Sequence, residues 1–153
     1  MYTNEKTAEV LNDLVRINND RIAGYDKAAK ETDTNDVDLQ AIFRQMSAES
    51  RSYVNDLGKY VATSGKKVET DTTVAGKIYR AWMDVKATFS GKDRKTILAS
   101  CEYGEDAAQK AYDTALSSDA ELSTEIRQLI MDQKTSLKRS HDRIKKMRDA
   151  QPA

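Results

Sequence analysis

The chain has little of what marks most specialised classes of protein. It holds one Cys and one Pro in 153 residues. A single thiol makes no internal disulfide and no zinc-finger spacing, which excludes a disulfide scaffold and points to a reducing compartment. Pro152 stands at the very end, so nothing before it is forced out of a helix on that account. No apolar run reaches membrane-spanning length, and the first residues lack the apolar stretch of a signal peptide. There is no net charge either: 25 Lys and Arg balance 25 Asp and Glu. That balance argues against a general nucleic-acid binder, and it removes the chain from the disordered class that its few large aliphatics would suggest. Gly-rich phosphate loops, nucleophile elbows and metalloprotease helices are missing as well. The expectation is one cytoplasmic domain over residues 1–153, with no membrane and no nucleic-acid partner.

What is present is helical periodicity, and no segment alternates with the period of a half-buried strand. Apolar stripes predict long helices over about 4–30, 36–63, 93–117 and 119–149, and a shorter one over about 74–89. Residues 31–36 are turn and cap formers, and Gly65 suits a left-handed helix end. The start of the last helix stays open: Ser118 with Glu121 reads as a capping box, while Ser123 caps a later start. Its closing turns hold Arg143, Lys145, Lys146 and Arg148, read as a match to the helix dipole. Short turns make the first pair and the last pair antiparallel. Residues 65–92 are long enough to return the chain along the bundle, with Trp82 and Ile78 pinning the short helix. The expected fold is all-α, a ferritin-like four-helix bundle whose long crossover carries that extra helix. The Met83–Lys86 side of the crossover helix offers a homodimer contact.

Polar residues interrupt the stripes at mid-bundle. They are Asn18 and Tyr25, then Glu49 and Tyr53, then Glu105 and Tyr112, then Gln133 and His141. At about 1.5 Å rise per residue, Glu49, Glu102 and Glu105 fall roughly 15–20 Å from one end of the bundle, and His141 reaches the level of Glu102. Buried carboxylates repel unless paired, hydrogen-bonded or metal-bound. Two readings follow. In one, Glu49, Glu102, Glu105 and His141 hold iron, manganese or zinc, with Tyr25 and Tyr53 around them; if redox-active, such a site runs oxygen or peroxide chemistry. In the other, the layer is a metal-free Tyr/Glu/His network in a non-enzymatic structural or interaction bundle. Seven Tyr against two Phe supply many phenols that need partners. Cys101, on the third stripe, reads as a small buried hydrophobe.

Ferritin-like di-iron proteins place Glu on two helices and Glu-x-x-His on the other two. Here Glu49 is followed by Ser52 where a His would fall, and Lys138 stands where a Glu would precede His141. The whole chain resembles a narrower group. The carrying segments are Leu11-Asn12-Asp13-Leu14, Asn19-Asp20, Gly24-Tyr25 and Ala81-Trp82-Met83-Asp84-Val85-Lys86. Cys101-Glu102-Tyr103-Gly104-Glu105-Asp106-Ala107-Ala108 and His141-Asp142-Arg143-Ile144 complete them. In order and spacing these are similar to bacterial ferritin-like four-helix-bundle proteins known only as a domain of unknown function. The resemblance implies that fold and a bacterial cytoplasmic setting, and it supplies no catalytic residues. Stress-related proteins among wider ferritin-like relatives are an analogy of fold alone.

Overall fold

The computed structural model describes residues 4–32, 36–68 and 94–151. They form four long helices, α1 (Glu5–Glu31), α2 (Val37–Ala62), α3 (Arg94–Leu116) and α4 (Thr124–Asp149), with no strand among the described residues. The expected crossover helix over 74–89, with Ile78, Trp82, Val85 and Phe89, lies outside the described residues.

Local chemistry sets the helix ends. The Asn4 side chain accepts from the Thr7 amide at 2.8 Å and starts α1. At its far end the Thr32 amide and hydroxyl both bond the Ala28 carbonyl. Beyond α2, Gly65 sits at φ +82° and turns the chain out of the helix. Of the two starts open for the last helix, the structure takes Ser123, whose hydroxyl accepts from the Ile126 amide at 3.2 Å. α4 therefore begins at Thr124, later than the expected 119, because Ser123 is the residue that satisfies a first-turn amide.

α1 packs chiefly on α2 and α3 on α4; α1 also meets α3, and α2 approaches α4 least. Contacts at the two ends fix direction. Arg94, at the start of α3, bonds both oxygens of Asp36, just before α2, at 2.6 Å. At the opposite end Lys6 pairs with Asp119, and the Thr7 hydroxyl donates to the Glu121 carbonyl at 2.8 Å. α2 and α3 thus begin at one end, and α1 begins at the other. Between them lies a core of Leu11, Leu14, Leu39, Phe43, Leu57, Leu98, Ile130 and Ile144, all fully buried. The Tyr25 and Phe43 rings pack at 5.7 Å between centroids. Cys101 is buried in this core, as its place on the stripe predicts.

Candidate functional site

The polar layer is built around a residue that stripe reading passes over. Arg21, on α1, is 0% exposed and is among the largest fully buried side chains of the described residues. Its Nε donates to Glu105 Oε1 at 2.7 Å and its Nη2 to Oε2 at 3.1 Å, a two-point grip on a carboxylate that is itself 1% exposed. Nη1 donates to the Met46 carbonyl and to the Ser50 hydroxyl, both at 2.9 Å. Nη2 also reaches Glu49 Oε1 at 3.4 Å and Met46 Sδ at 3.3 Å. The Tyr25 ring lies 5.1 Å from the guanidinium carbon, adding a cation–π contact.

From Arg21 a chain of hydrogen bonds runs through all four helices. Ser50, accepting from Arg21, donates to Asn18 Oδ1 at 2.9 Å. The Asn18 amide then spends both protons, on the Leu14 carbonyl and on the Tyr112 hydroxyl, each at 2.8 Å. Tyr112 donates to Gln133 Oε1 at 2.7 Å, and the Gln133 amide reaches the Tyr53 carbonyl at 3.4 Å. The Tyr53 hydroxyl donates to Ser136, and Ser140 donates to Glu49 at 3.3 Å. From Arg21 through Ser50, Asn18 and Tyr112 to Gln133 each group accepts from one neighbour and donates to the next, which fixes the Asn18 and Gln133 amide orientations together.

Electrostatics follow from burial. Desolvation works against the Arg21 charge, yet Glu105, with Tyr25 and Glu49, holds its pKa above the ordinary arginine value. Burial pushes the Tyr112 phenol up against the Asn18 hydrogen bond, and it pushes Tyr25 up together with the Glu105 charge. The Cys101 thiol is likewise raised, by burial first and Glu105 second. A guanidinium gives up no proton at any working pH, so the centre of this layer is a fixed charge rather than an acid–base group.

The four expected ligands fall into two groups. Glu49 and Glu105 meet at Arg21. Glu102 instead pairs with Arg148, and its Oε2 is 3.9 Å from His141 Nε2. His141 bonds Asp106 at 2.7 Å through Nε2 and Asp142 at 3.0 Å through Nδ1. The hydrogen bond from His141 is the main reason that the Asp142 carboxyl lies below the usual aspartate range. Among the described residues, no group of three or more His, Cys, Asp or Glu is arranged to hold a metal ion. The levels inferred from helix rise bring together Glu49 with Glu105 and Glu102 with His141. The inference missed the partners Arg21, Ser50, Asp106 and Arg148. For Arg21 the signal was available: Leu14, Asn18, Arg21 and Tyr25 recur at alternating spacings of four and three.

No helix among the described residues is long and apolar enough to cross a membrane. No curated protein matches the chain. The residues that build the layer on α1, α2 and α3 all lie within 6–118, the stretch matched by the family described as a domain of unknown function (DUF2383), and the chain belongs to that family.

Proposed function

We propose that this protein is a non-enzymatic structural or interaction bundle whose polar layer fixes which helix faces meet and in what register. The observation that carries this is Arg21, whose guanidinium fills the space between Glu49 and Glu105 where a bound cation would otherwise balance two carboxylates. A side-chain cation already satisfies the need that a metal would meet. The reading includes ferritin-like topology. Its support is the shared starting end of α2 and α3, which asks the connection over 63–93 to run back along the bundle. A bacterial cytoplasmic setting belongs to the same reading, through the resemblance.

The test is metal content by elemental analysis of protein purified without chelator, followed by titration with Fe(II), Mn(II) and Zn(II) and thermal melts. Stoichiometry near zero and unchanged melting are expected. Bound metal at one equivalent, lost in Glu49→Ala or Glu105→Ala, would overturn the reading and restore Glu49 and Glu105 as ligands; the same loss in Glu102→Ala or His141→Ala would place the ligands at the second group.

A further inference from the structure

α4 carries the charge asymmetry of a chain that is neutral as a whole. It holds eight Arg or Lys against four Asp or Glu. Lys134, Lys138 and Arg148 are matched by Asp113, Asp142 and Glu102. Arg139, Arg143 and Lys146 are exposed, lie about one turn apart on a single stripe, and meet no carboxylate at ion-pair distance among the described residues. Among the described residues Arg143 makes one side-chain hydrogen bond, to Gln45 of α2 at 3.5 Å. The helix dipole accounts for Lys146 in the last turn but not for Arg139 and Arg143. Its pull on cations is confined to the last turn, and Arg139 and Arg143 lie one to three turns before Asp149.

Beside this stripe, α2 turns Val37, Ala41, Arg44 and Ala48 to solvent, with Val37 67% exposed. Their spacing puts them on one face of α2. α2 and α4 are also the adjoining pair that approach each other least, and Arg143 and Gln45 meet across the seam between them. The α2 wall is apolar or small apart from Arg44, and the α4 wall is cationic. Such a wall pair suits a helix with an apolar face and an acidic flank. A second copy fits poorly, because a twofold contact of this seam with itself sets the same cations against one another. Nucleic acid fits less well too: Asp132 stands about two turns before Arg139 on the same face and ends the basic stripe there, and the exposed aromatic Tyr103 is on α3, away from it.

We propose that the α2–α4 seam docks an acidic amphipathic helix of a partner protein, with Val37, Ala41 and Ala48 receiving its apolar face and Arg44, Arg139, Arg143 and Lys146 its carboxylates. This rests on the interaction-bundle reading.

The probe is a designed helical peptide with one Leu face and a Glu flank, titrated into the full chain by fluorescence anisotropy. An equally acidic peptide with its Leu positions scattered serves as the control. Binding of the patterned peptide is expected, weaker at physiological ionic strength than at low salt. It should be weakened about tenfold or more in the triple variant Arg139→Glu/Arg143→Glu/Lys146→Glu, and also in Ala41→Glu. All three cations are exposed, and circular dichroism checks that the variants keep their helices. Equal binding of both peptides, binding untouched by the triple variant, preference for single-stranded DNA, or sedimentation as a dimer through this face would each overturn the proposal. None of these outcomes bears on the metal titration, so this docking surface and the non-enzymatic reading fail separately.

Discussion

Replacing Arg21 by Met keeps a long, flexible side chain in the same volume and removes only the charge and its donors. The loss can be worked from the contacts. Glu105, 1% exposed, gives up bonds of 2.7 and 3.1 Å and is left as a buried charge without its counterion. The Ser50 hydroxyl and the Met46 carbonyl lose a donor each. Breaking a buried pair from one side costs about 3–5 kcal/mol, a large share of the 5–15 kcal/mol that typically stabilises a domain. The partly exposed Glu49 adds little, since it can turn toward water. Removing the second charge reverses the effect: Arg21→Met/Glu105→Met replaces an ion pair by apolar atoms of similar size, which is commonly neutral or stabilising. Urea unfolding of wild type, both single variants and the double variant, followed by circular dichroism, gives the cycle directly. The expected coupling energy is about 3 kcal/mol or more. A single variant within about 1 kcal/mol of wild type, or a double variant that equals the sum of the singles, would refute the claim that this pair organises the layer. A double variant that is stable but unfolds with reduced cooperativity would show that the pair selects one packing arrangement over others.

Tyr25 and Tyr112 make the fold sensitive to alkali. Both phenols are raised by burial, so above the ordinary tyrosine range the folded chain holds protons that the unfolded chain has released, and stability falls as pH rises. Absorbance of phenolate near 295 nm should show these two ionising only together with loss of helix; independent titration of Tyr112 in the folded protein would contradict its burial. Ser123→Ala should cost about 1 kcal/mol in thermal or urea unfolding, because the Ile126 amide loses its cap. A neutral result there would mean that the turn before α4 supplies another acceptor.

The helices were legible because each is long and strongly periodic, and because cap residues such as Asn4 and Ser123 stand where a first-turn amide needs an oxygen. The start of α4 stays open in the sequence, since Ser118 and Ser123 offer the same chemistry; in the fold Ser118 donates back to the Ala115 carbonyl of α3, Glu121 is held by Thr7 of α1, and Ser123 is left to cap α4. The mid-bundle layer was legible as a layer. Helix rise alone brings Glu49 level with Glu105 and Glu102 level with His141, and Tyr112 and Gln133 do share a hydrogen bond. What spacing could not show was lateral: Glu102 and Glu105 sit three residues apart on α3, yet one points to α4 and the other to α1. Three residues span about 300°, so two neighbours on a stripe can belong to different interfaces of a four-helix bundle.

Arg21 was passed over for a deeper reason. Stripe reading sorts residues by polarity, and arginine is among the side chains least often buried, so the apolar neighbour Ile22, which is only half-buried, draws the inward position that Arg21 occupies. The carboxylates were noticed while their counterion was not. Buried charges come in balanced sets, because the desolvation of each is tolerable only against its opposite. Two inward glutamates therefore demand a cation, and the search for it belongs among the chain's own Arg and Lys at the same depth before it turns to metals. Within the seam of Leu14, Asn18 and Tyr25 only one such residue exists, and its long stem and planar head let it reach Glu105 on α3 and Ser50 on α2 from α1 at once. A lysine there would have one compact head for the same partners and would leave at least one carboxylate oxygen unbonded. The layer's chemistry thus follows from needing a single, undeprotonated donor that spans three helices, which the other side chains on these stripes cannot supply.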